Sequence, residues 1–504
     1  MKLRTAALSA ILAASGSVMV AVFAPLPAMG TASAPPRDPA QVPGAVDHSR
    51  FDVGKTLHLD ARLGHASIAK GADGETYLYA SVAGVDTALA APQLNLAVVV
   101  DKSGSMKGER IARAIDAGVG IVERMRDGDV ITVVDFDTSA EIVVAPTRLT
   151  GTNRTGVENA IRGIRLGGDT CISCGLETAA TELRRAPVSG DHVTRMIVLS
   201  DGATNHGVTD MMGLRGIAAR MRDRGCSITT IGVDVDFDEK VMAVLATESN
   251  GRHYFVASAA GLPAIFSQEL DSLVASVAQD VDMTVELGPN VSVEQVFDRT
   301  FRRETVAGHD RIVIPFGVVA AKQEKTALLK LRVSTDKDGE APVAKVSLAY
   351  RDLLAREARH DEGDLALVIK SDGTAQRELD PFVAARVERS RTAETLTAAN
   401  TLFETGNVEE AEKTLATRAN ELHMTMGHHS SGFGGPQTGR ITADLDKQLD
   451  VVAEAQTNFA PVATTVAPMG GGGSGGARAN AAAPARKGAE QVRKNQESAV
   501  NLAF

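Results

Sequence analysis

Tryptophan is absent from the 504 residues, and aromatic side chains make up only 4 %. Carbohydrate platforms and single-strand nucleic-acid surfaces both stack their ligands on aromatic rings, so this scarcity argues against either. The formal net charge is −10, and no stretch gathers lysine and arginine into a stripe that could neutralise a phosphate backbone. Nucleic acid is therefore not an expected partner. Only three cysteines are present, too few for a disulfide framework. No Gly-x4-Gly-Lys-Ser/Thr nucleotide loop, Gly-x-Ser-x-Gly elbow or His-Glu-x-x-His zinc helix occurs, which removes the usual sequence grounds for an enzyme.

What is present begins with an export signal. Lys2 and Arg4 precede an apolar stretch over residues 6–24, and Ala28-Met29-Gly30 offers a small-x-small cleavage site. The stretch is expected either to be cut after Gly30 or to stay as a membrane anchor. No later segment is apolar enough to span a membrane, so none is expected after cleavage. Hydrophobic residues reach 44 %, enough for sizeable cores.

Hydropathy patterning changes period along the chain. Residues 56–90 alternate polar and apolar, as strands with one buried face do. Residues 93–100, QLNLAVVV, form a nearly continuous apolar run ending at Asp101, as expected of a strand buried on both faces. From there to about 279, strand and helix patterns alternate, which implies a doubly wound, mostly parallel sheet. After 280 about five period-two segments follow. Residues 378–425 then read as a helical hairpin broken at Gly406-Asn407, and order is expected to fade after 427.

The expected fold class is α/β: a doubly wound sheet inserted into an antiparallel β-sandwich, with a helical segment behind it. The division is a signal peptide (1–30), a spacer (31–50), first sandwich strands (51–91), an α/β domain (92–279), second sandwich strands (280–375), helices (376–457), a Gly/Ala-rich linker (458–487) and a tail (488–504). The sandwich is proposed as one body because the ends of a doubly wound domain can lie close together.

Chemistry concentrates at strand ends. Asp101-Lys102-Ser103-Gly104-Ser105 follows one buried strand, and Asp201 ends another in Leu199-Ser200-Asp201-Gly202. Thr170 follows Gly167-Gly168-Asp169 at a helix start. In open α/β sheets ligands bind at the carboxyl ends of strands. A hard cation such as Mg²⁺ takes about six oxygens, some from water, and these segments could supply them together. The bland alternative is a strand-to-helix turn with capping residues. Asp137, with Asp135, reads as a turn former, and Arg110 with Met106 as the rim of the turn.

This combination resembles the metal-ion-dependent adhesion site of von Willebrand factor A domains, over about residues 93–279. The resemblance implies direct metal contacts from Ser103, Ser105 and Thr170. Asp101 and Asp201 would act through water or by hydrogen-bonding the ligands. One position would stay open for an Asp or Glu carboxylate of a partner protein, with Mg²⁺, Mn²⁺ or Ca²⁺ as the ion. Asp169 beside Thr170 departs from the family's usual Gly-Gly-Thr and stays open as a further contact. Cys171 and Cys174 depart too, and are read as a disulfide bracing the metal loop, with redox control or soft-metal binding as alternatives. Cys226 reads as a small buried hydrophobe.

The order of parts resembles bacterial exported proteins of the inter-alpha-trypsin-inhibitor-heavy-chain-like and YfbK-like kind. The expectation is a non-enzymatic, cation-dependent binding module of the cell envelope, periplasmic or extracellular. A structural envelope protein with a vestigial site, or an accessory subunit of an enzyme complex, remains open.

Overall fold

A computed structural model describes residues 47–86, 91–188, 190–201, 203–233, 238–306, 309–376, 378–432, 436–459, 490–500 and 502. The expected signal peptide, most of the spacer and nearly all of the linker lie outside these residues. Residues 47 onward form one compact unit.

The chain opens with four strands: β1 (Arg50–Gly54), β2 (Leu57–Leu63), β3 (Ser67–Ala69) and β4 (Glu75–Gly84). The α/β domain follows, with strands β5 (Leu94–Asp101), β6 (Val130–Phe136), β7 (Ala140–Arg148), β8 (Val193–Ser200), β9 (Ser227–Val233) and β10 (His253–Val256). Their order in the sheet is β10-β9-β8-β5-β6-β7. All neighbours are parallel except the edge strand β7, which runs antiparallel to β6.

The central strand shows why the sequence reads as it does. Leu94, Leu96, Val98 and Val100 of β5 face one core, while Ala97 and Val99 face the other. Both faces are dry, so apolar residues run on without alternation. The first face is covered by α1 (Glu109–Arg124), α2 (Arg154–Arg162) and α6 (Leu262–Val274). The second is covered by α3 (Ile172–Arg185), α4 (Met211–Arg222) and α5 (Glu239–Glu248). Aspartates start two of these helices. Asp210 accepts from the Gly213 N–H at 2.8 Å, and Asp238 from the Lys240 and Val241 N–H groups at 3.1 Å each.

Seven strands follow: β11 (Ser276–Leu287), β12 (Val291–Phe297), β13 (Arg302–Val306), β14 (His309–Ala320), β15 (Glu324–Val333), β16 (Gly339–Asp352) and β17 (Glu357–Lys370). They join the first four in two sheets, ordered β1-β2-β4-β15-β12 and β13-β14-β11-β16-β17-β3. The decisive pairings are β4 with β15, antiparallel, and β3 with β17, parallel. Apolar side chains from both sets fill one core between the sheets. The doubly wound sheet is thus inserted in a sandwich made by both flanks.

Three details differ from the sequence reading. The last helix of the α/β domain stops at Val274 and β11 starts at Ser276, short of the expected 279. The strands after it number seven among the described residues, two more than expected, because β13 is exposed throughout and half of β17 is polar. Order also does not fade after 427. Behind α7 (Pro381–Glu404) and α8 (Val408–Gly432), a third helix, α9 (Pro436–Phe459), packs against both, and residues 490–500 are helical as well. Ile441, Leu445, Val452, Ala455 and Phe459 of α9 join Val492 and Ala499 in one core.

Helix α7 seats this bundle on the sandwich. Asp380 caps it, accepting from the Phe382 N–H at 2.9 Å, with Pro381 in its first turn. Val383 and Val387 pack on Tyr79 and Leu328. The buried Arg386 donates to Thr326 Oγ1 at 2.8 Å and to Asp298 Oδ2 at 3.0 Å. Among the described residues no helix is long and apolar enough to cross a membrane.

Candidate functional site

The chain passes from β5 to β6 on one side of β5 and later returns as β8 on its other side. The gap between β5 and β8 is therefore the topological switch point, where helices diverge and leave a crevice. Asp101 ends β5, and Asp201 follows Ser200 at the end of β8. Both carboxylates are fully buried.

The turn after β5 is built by Asp101 itself. Its Oδ1 accepts from the Ser103 backbone N–H at 2.8 Å, and its Oδ2 accepts from the Ser200 hydroxyl at 2.5 Å. Burial pushes the Asp101 carboxyl up to about 6, against the pull of the Ser103 and Ser200 hydrogen bonds. Ser103 Oγ lies 3.0 Å from Ser105 Oγ, and the Ser105 hydroxyl donates to Asp201 Oδ1 at 2.7 Å. Arg110 of α1 donates to Asp201 Oδ2 at 2.6 Å and to the Ser105 carbonyl at 3.1 Å. Ser103 is buried while Ser105 is exposed, so this oxygen cluster opens to solvent at Ser105.

The Thr170 segment is held against this turn by backbone contacts. Gly104 N–H donates to the Gly168 carbonyl at 3.0 Å, and Gly167 N–H to the Lys102 carbonyl at 2.7 Å. Asp137 Oδ2 accepts from the Gly168 N–H at 3.1 Å, and the Asp137 carbonyl accepts from Cys171 N–H at 2.7 Å. These glycines are required by space. A Cβ on Gly167 would fall 1.8 Å from Asp137 Oδ2, and one on Gly168 would fall 2.5 Å from Thr138 Oγ1. Thr170 N–H donates to Asn205 Oδ1 at 2.9 Å, and the Thr170 carbonyl accepts from the Asn205 and His206 N–H groups at 3.0 and 3.2 Å. Thr170 is buried and Asp169 exposed, so Thr170 is the inward residue of the pair.

A disulfide joins Cys171 and Cys174 across the first turn of α3, directly after Thr170. The free Cys226 is buried, and burial pushes its thiol up to about 12, where it is inert as a nucleophile.

Three contributors were not singled out from sequence or were given another role. Ser200 buttresses Asp101, and Asn205 pins Thr170. Asp137, read as a turn former, receives the Ser139 N–H at 3.0 Å in that role and also holds the Gly167–Gly168 strap. Asp135 instead pairs with the buried Lys102 ammonium at 3.0 Å, which Glu141 also meets at 3.0 Å.

The donor set fits a hard cation. It consists of carboxylates and hydroxyls only, and among the described residues no three His, Cys, Asp or Glu side chains gather as a metal group. The strand-end position on a doubly wound sheet and the oxygen-only cluster together define a class: a doubly wound α/β domain with an oxygen-lined crevice at its switch point.

Comparison with known proteins agrees. The sequence profile of the von Willebrand factor type A domain matches residues 95–268, and the chain carries such a domain. Domains of this type commonly mediate protein–protein adhesion and often bind a divalent metal. The chain is 24 % identical over 304 residues to the Synechocystis protein sll0103, an alignment covering 59 % of this chain and 70 % of that one. It is 23 % identical over 274 residues to the uncharacterised Escherichia coli protein YfbK, covering 54 % of this chain and 47 % of that one. With human inter-alpha-trypsin inhibitor heavy chain H1 it shares 27 % over 164 residues, 31 % of this chain and only 18 % of the heavy chain.

Two solved structures share the fold well beyond the A domain. A von Willebrand factor type A protein from Catenulispora acidiphila superposes with a TM-score of 0.61 at 15 % identity, covering 78 % of this chain and 96 % of that one. The ArnB paralog VWA2 from Sulfolobus acidocaldarius gives 0.52 at 16 % identity, covering 79 % and 98 %.

Proposed function

We propose that this protein is a cation-dependent protein-binding module of the cell envelope. Asp101, Ser103, Ser105, Thr170 and Asp201 would hold one divalent ion, Mg²⁺ or in its place Mn²⁺ or Ca²⁺. The observation that carries this reading is the continuous run of oxygens from Ser103 through Ser105 to Asp201, spaced 3.0 and 2.7 Å, at the switch point of the sheet. Bound there, the ion would offer a Lewis-acidic position to an incoming Asp or Glu carboxylate.

The protein's own residues prepare the rest. Asp101 fixes the turn that aims both serines. Arg110 balances the buried charge of Asp201. Two fully buried carboxylates at one site would be costly without such compensation. The export signal read from the N-terminal residues supports an envelope location.

Calorimetric titration of Mg²⁺ and Mn²⁺ into the metal-free protein tests the reading, with Ser103→Ala as control. One site, abolished or weakened at least tenfold in the variant, is the expected result. A partner search in Mg²⁺ against EDTA would then follow. No uptake by the wild-type protein, with or without an acidic partner peptide, would leave the site vestigial and the envelope role structural.

A further inference from the structure

A small cavity of about 30 Å³ lies where the A domain meets the sandwich, remote from the Ser103–Asp201 cluster in sequence and in its lining. Arg195 of β8, with Asn250 and Arg252 before β10, contributes from the A domain. Ser276, Gln323 and Lys325 contribute from the sandwich. That volume accommodates roughly one water-sized particle.

Its polar lining is unusual in sign. Arg195 Nε and Nη1, Asn250 Nδ2 and Ser276 Oγ are buried, and none has a hydrogen-bond partner among the described residues. Arg195, Asn250 and Ser276 are only 7 %, 5 % and 2 % exposed. Buried polar atoms are rarely left unsatisfied, and several on residues that line one cavity call for a common ligand.

The nearby carboxylate does not serve them. Glu269 accepts from the Thr229 hydroxyl at 2.6 Å and the Tyr254 hydroxyl at 3.0 Å. Arg195 and Arg252 both stand 3.7 Å from it, within ion-pair range but outside hydrogen-bond range. The Gln323 carbonyl oxygen is taken by the Ala320 N–H at 3.0 Å. Lys325 adds a further buried amine, donating to the Phe316 carbonyl at 2.7 Å.

The free groups are thus donors, Ser276 Oγ alone being able to accept as well. A water molecule could accept from two of them but would then present its own hydrogens to a cationic wall. A spherical anion accepts from all of them and offsets the excess positive charge. We infer that this cavity binds one small monovalent anion of the halide class, chloride being the one of matching size, and that the ion ties the A domain to the sandwich. Burial and the neighbouring arginines hold the Lys325 amine well below its ordinary range, against the opposing pull of Glu269.

The test is thermal unfolding of the full chain in EDTA, which keeps any bound divalent metal out of the comparison. Sodium chloride, bromide and gluconate are compared at equal ionic strength. Chloride and bromide are expected to raise Tm saturably by about 3–5 °C over gluconate, which is too large to enter. Arg195→Met and Ser276→Ala should each remove at least half of that rise. Should Arg195→Met fail to fold, Ser276→Ala decides alone. Identical Tm in all three salts, or a halide response untouched by Ser276→Ala, would overturn the inference. Bromide anomalous scattering at this cavity in a crystal would support it directly, and its absence at saturating bromide would count against it.

Discussion

Two glycines that look alike in sequence are predicted to answer the same substitution with opposite signs. Gly175 lies one turn into α3, directly behind the Thr170 loop, and is buried. A Cβ there would sit 2.7 Å from the Phe136 ring and 2.8 Å from Val99 Cγ1. Both neighbours are core residues of β6 and β5, so neither can swing into solvent. Alanine is favoured over glycine in a helix by about 1 kcal/mol. Overpacking a tight core costs about 1–3 kcal/mol. With both neighbours fixed in the core the clash should win, and Gly175→Ala is expected to lose up to about 2 kcal/mol net. Gly120 in α1 has no heavy atom within 4 Å of its would-be Cβ. There only the propensity gain remains, and Gly120→Ala should gain about 0.5–1 kcal/mol. Circular dichroism during chemical denaturation is the assay, since the chain has no tryptophan to report by fluorescence. Because α3 carries the Thr170 loop on its N-terminus, Gly175→Ala should also weaken Mg²⁺ uptake, whereas Gly120→Ala should not. A Gly175→Ala protein as stable as the wild type would refute the packing argument.

Asp298→Asn keeps a residue tolerant of the positive φ of 56° at that position but strips the charge facing buried Arg386, and should cost about 1–3 kcal/mol in the same denaturation assay. Burial pushes the Glu497 carboxyl up to about 7, outweighing the Phe255 backbone hydrogen bond and the attraction of Lys494. In the unfolded chain this carboxyl ionises near 4.5, so its contribution is intact below that pH and is lost as the pH rises towards 7. Hydrogen-exchange protection over residues 490–500, taken relative to the intrinsic rate at each pH, should therefore fall between pH 5 and 8, and Glu497→Gln should flatten the trend. Replacing Cys171 and Cys174 by serine opens a loop of sequence separation three, so the loss in melting experiments should not exceed about 2 kcal/mol; a loss twice as large would mean the bridge does more than close a turn.

The doubly wound sheet was legible because strands buried on both faces have no choice but apolar runs, as Leu94 to Val100 illustrate. Asp101 and Asp201 stood out because each is the abrupt polar end of such a run. Strand β13 was invisible for the opposite reason. RRETV is exposed at every position and joins the sheet edge through backbone pairing and surface ion pairs of Arg302 and Arg303, with no buried face. The polar first half of β17 hides in the same way. Helix α9 did carry a signal, with Ile441, Leu445, Gln448, Val452, Ala455 and Phe459 all buried at alternating spacings of four and three. It was masked by the glycine- and histidine-rich stretch before it. Ser200 and Asn205 could not be told from ordinary loop polars, because their work is defined by partners roughly 99 and 35 positions away.

The insertion has a consequence in time. Strand β4 closes at Gly84, and its partner β15 opens only at Glu324. At roughly 5–20 residues per second of synthesis, β4 waits on the order of 10–50 s for the strand that completes its sheet. Every strand of the A domain lies between Leu94 and Val256, so that domain can finish before the sandwich around it can begin to close. A chain whose synthesis stopped just before β15 would carry a complete binding domain preceded by the ribbon β1-β2-β4, whose open β4 edge is of the kind that recruits other chains. The order of assembly is inside out, and the interval before β15 emerges is when this protein most needs a chaperone's protection.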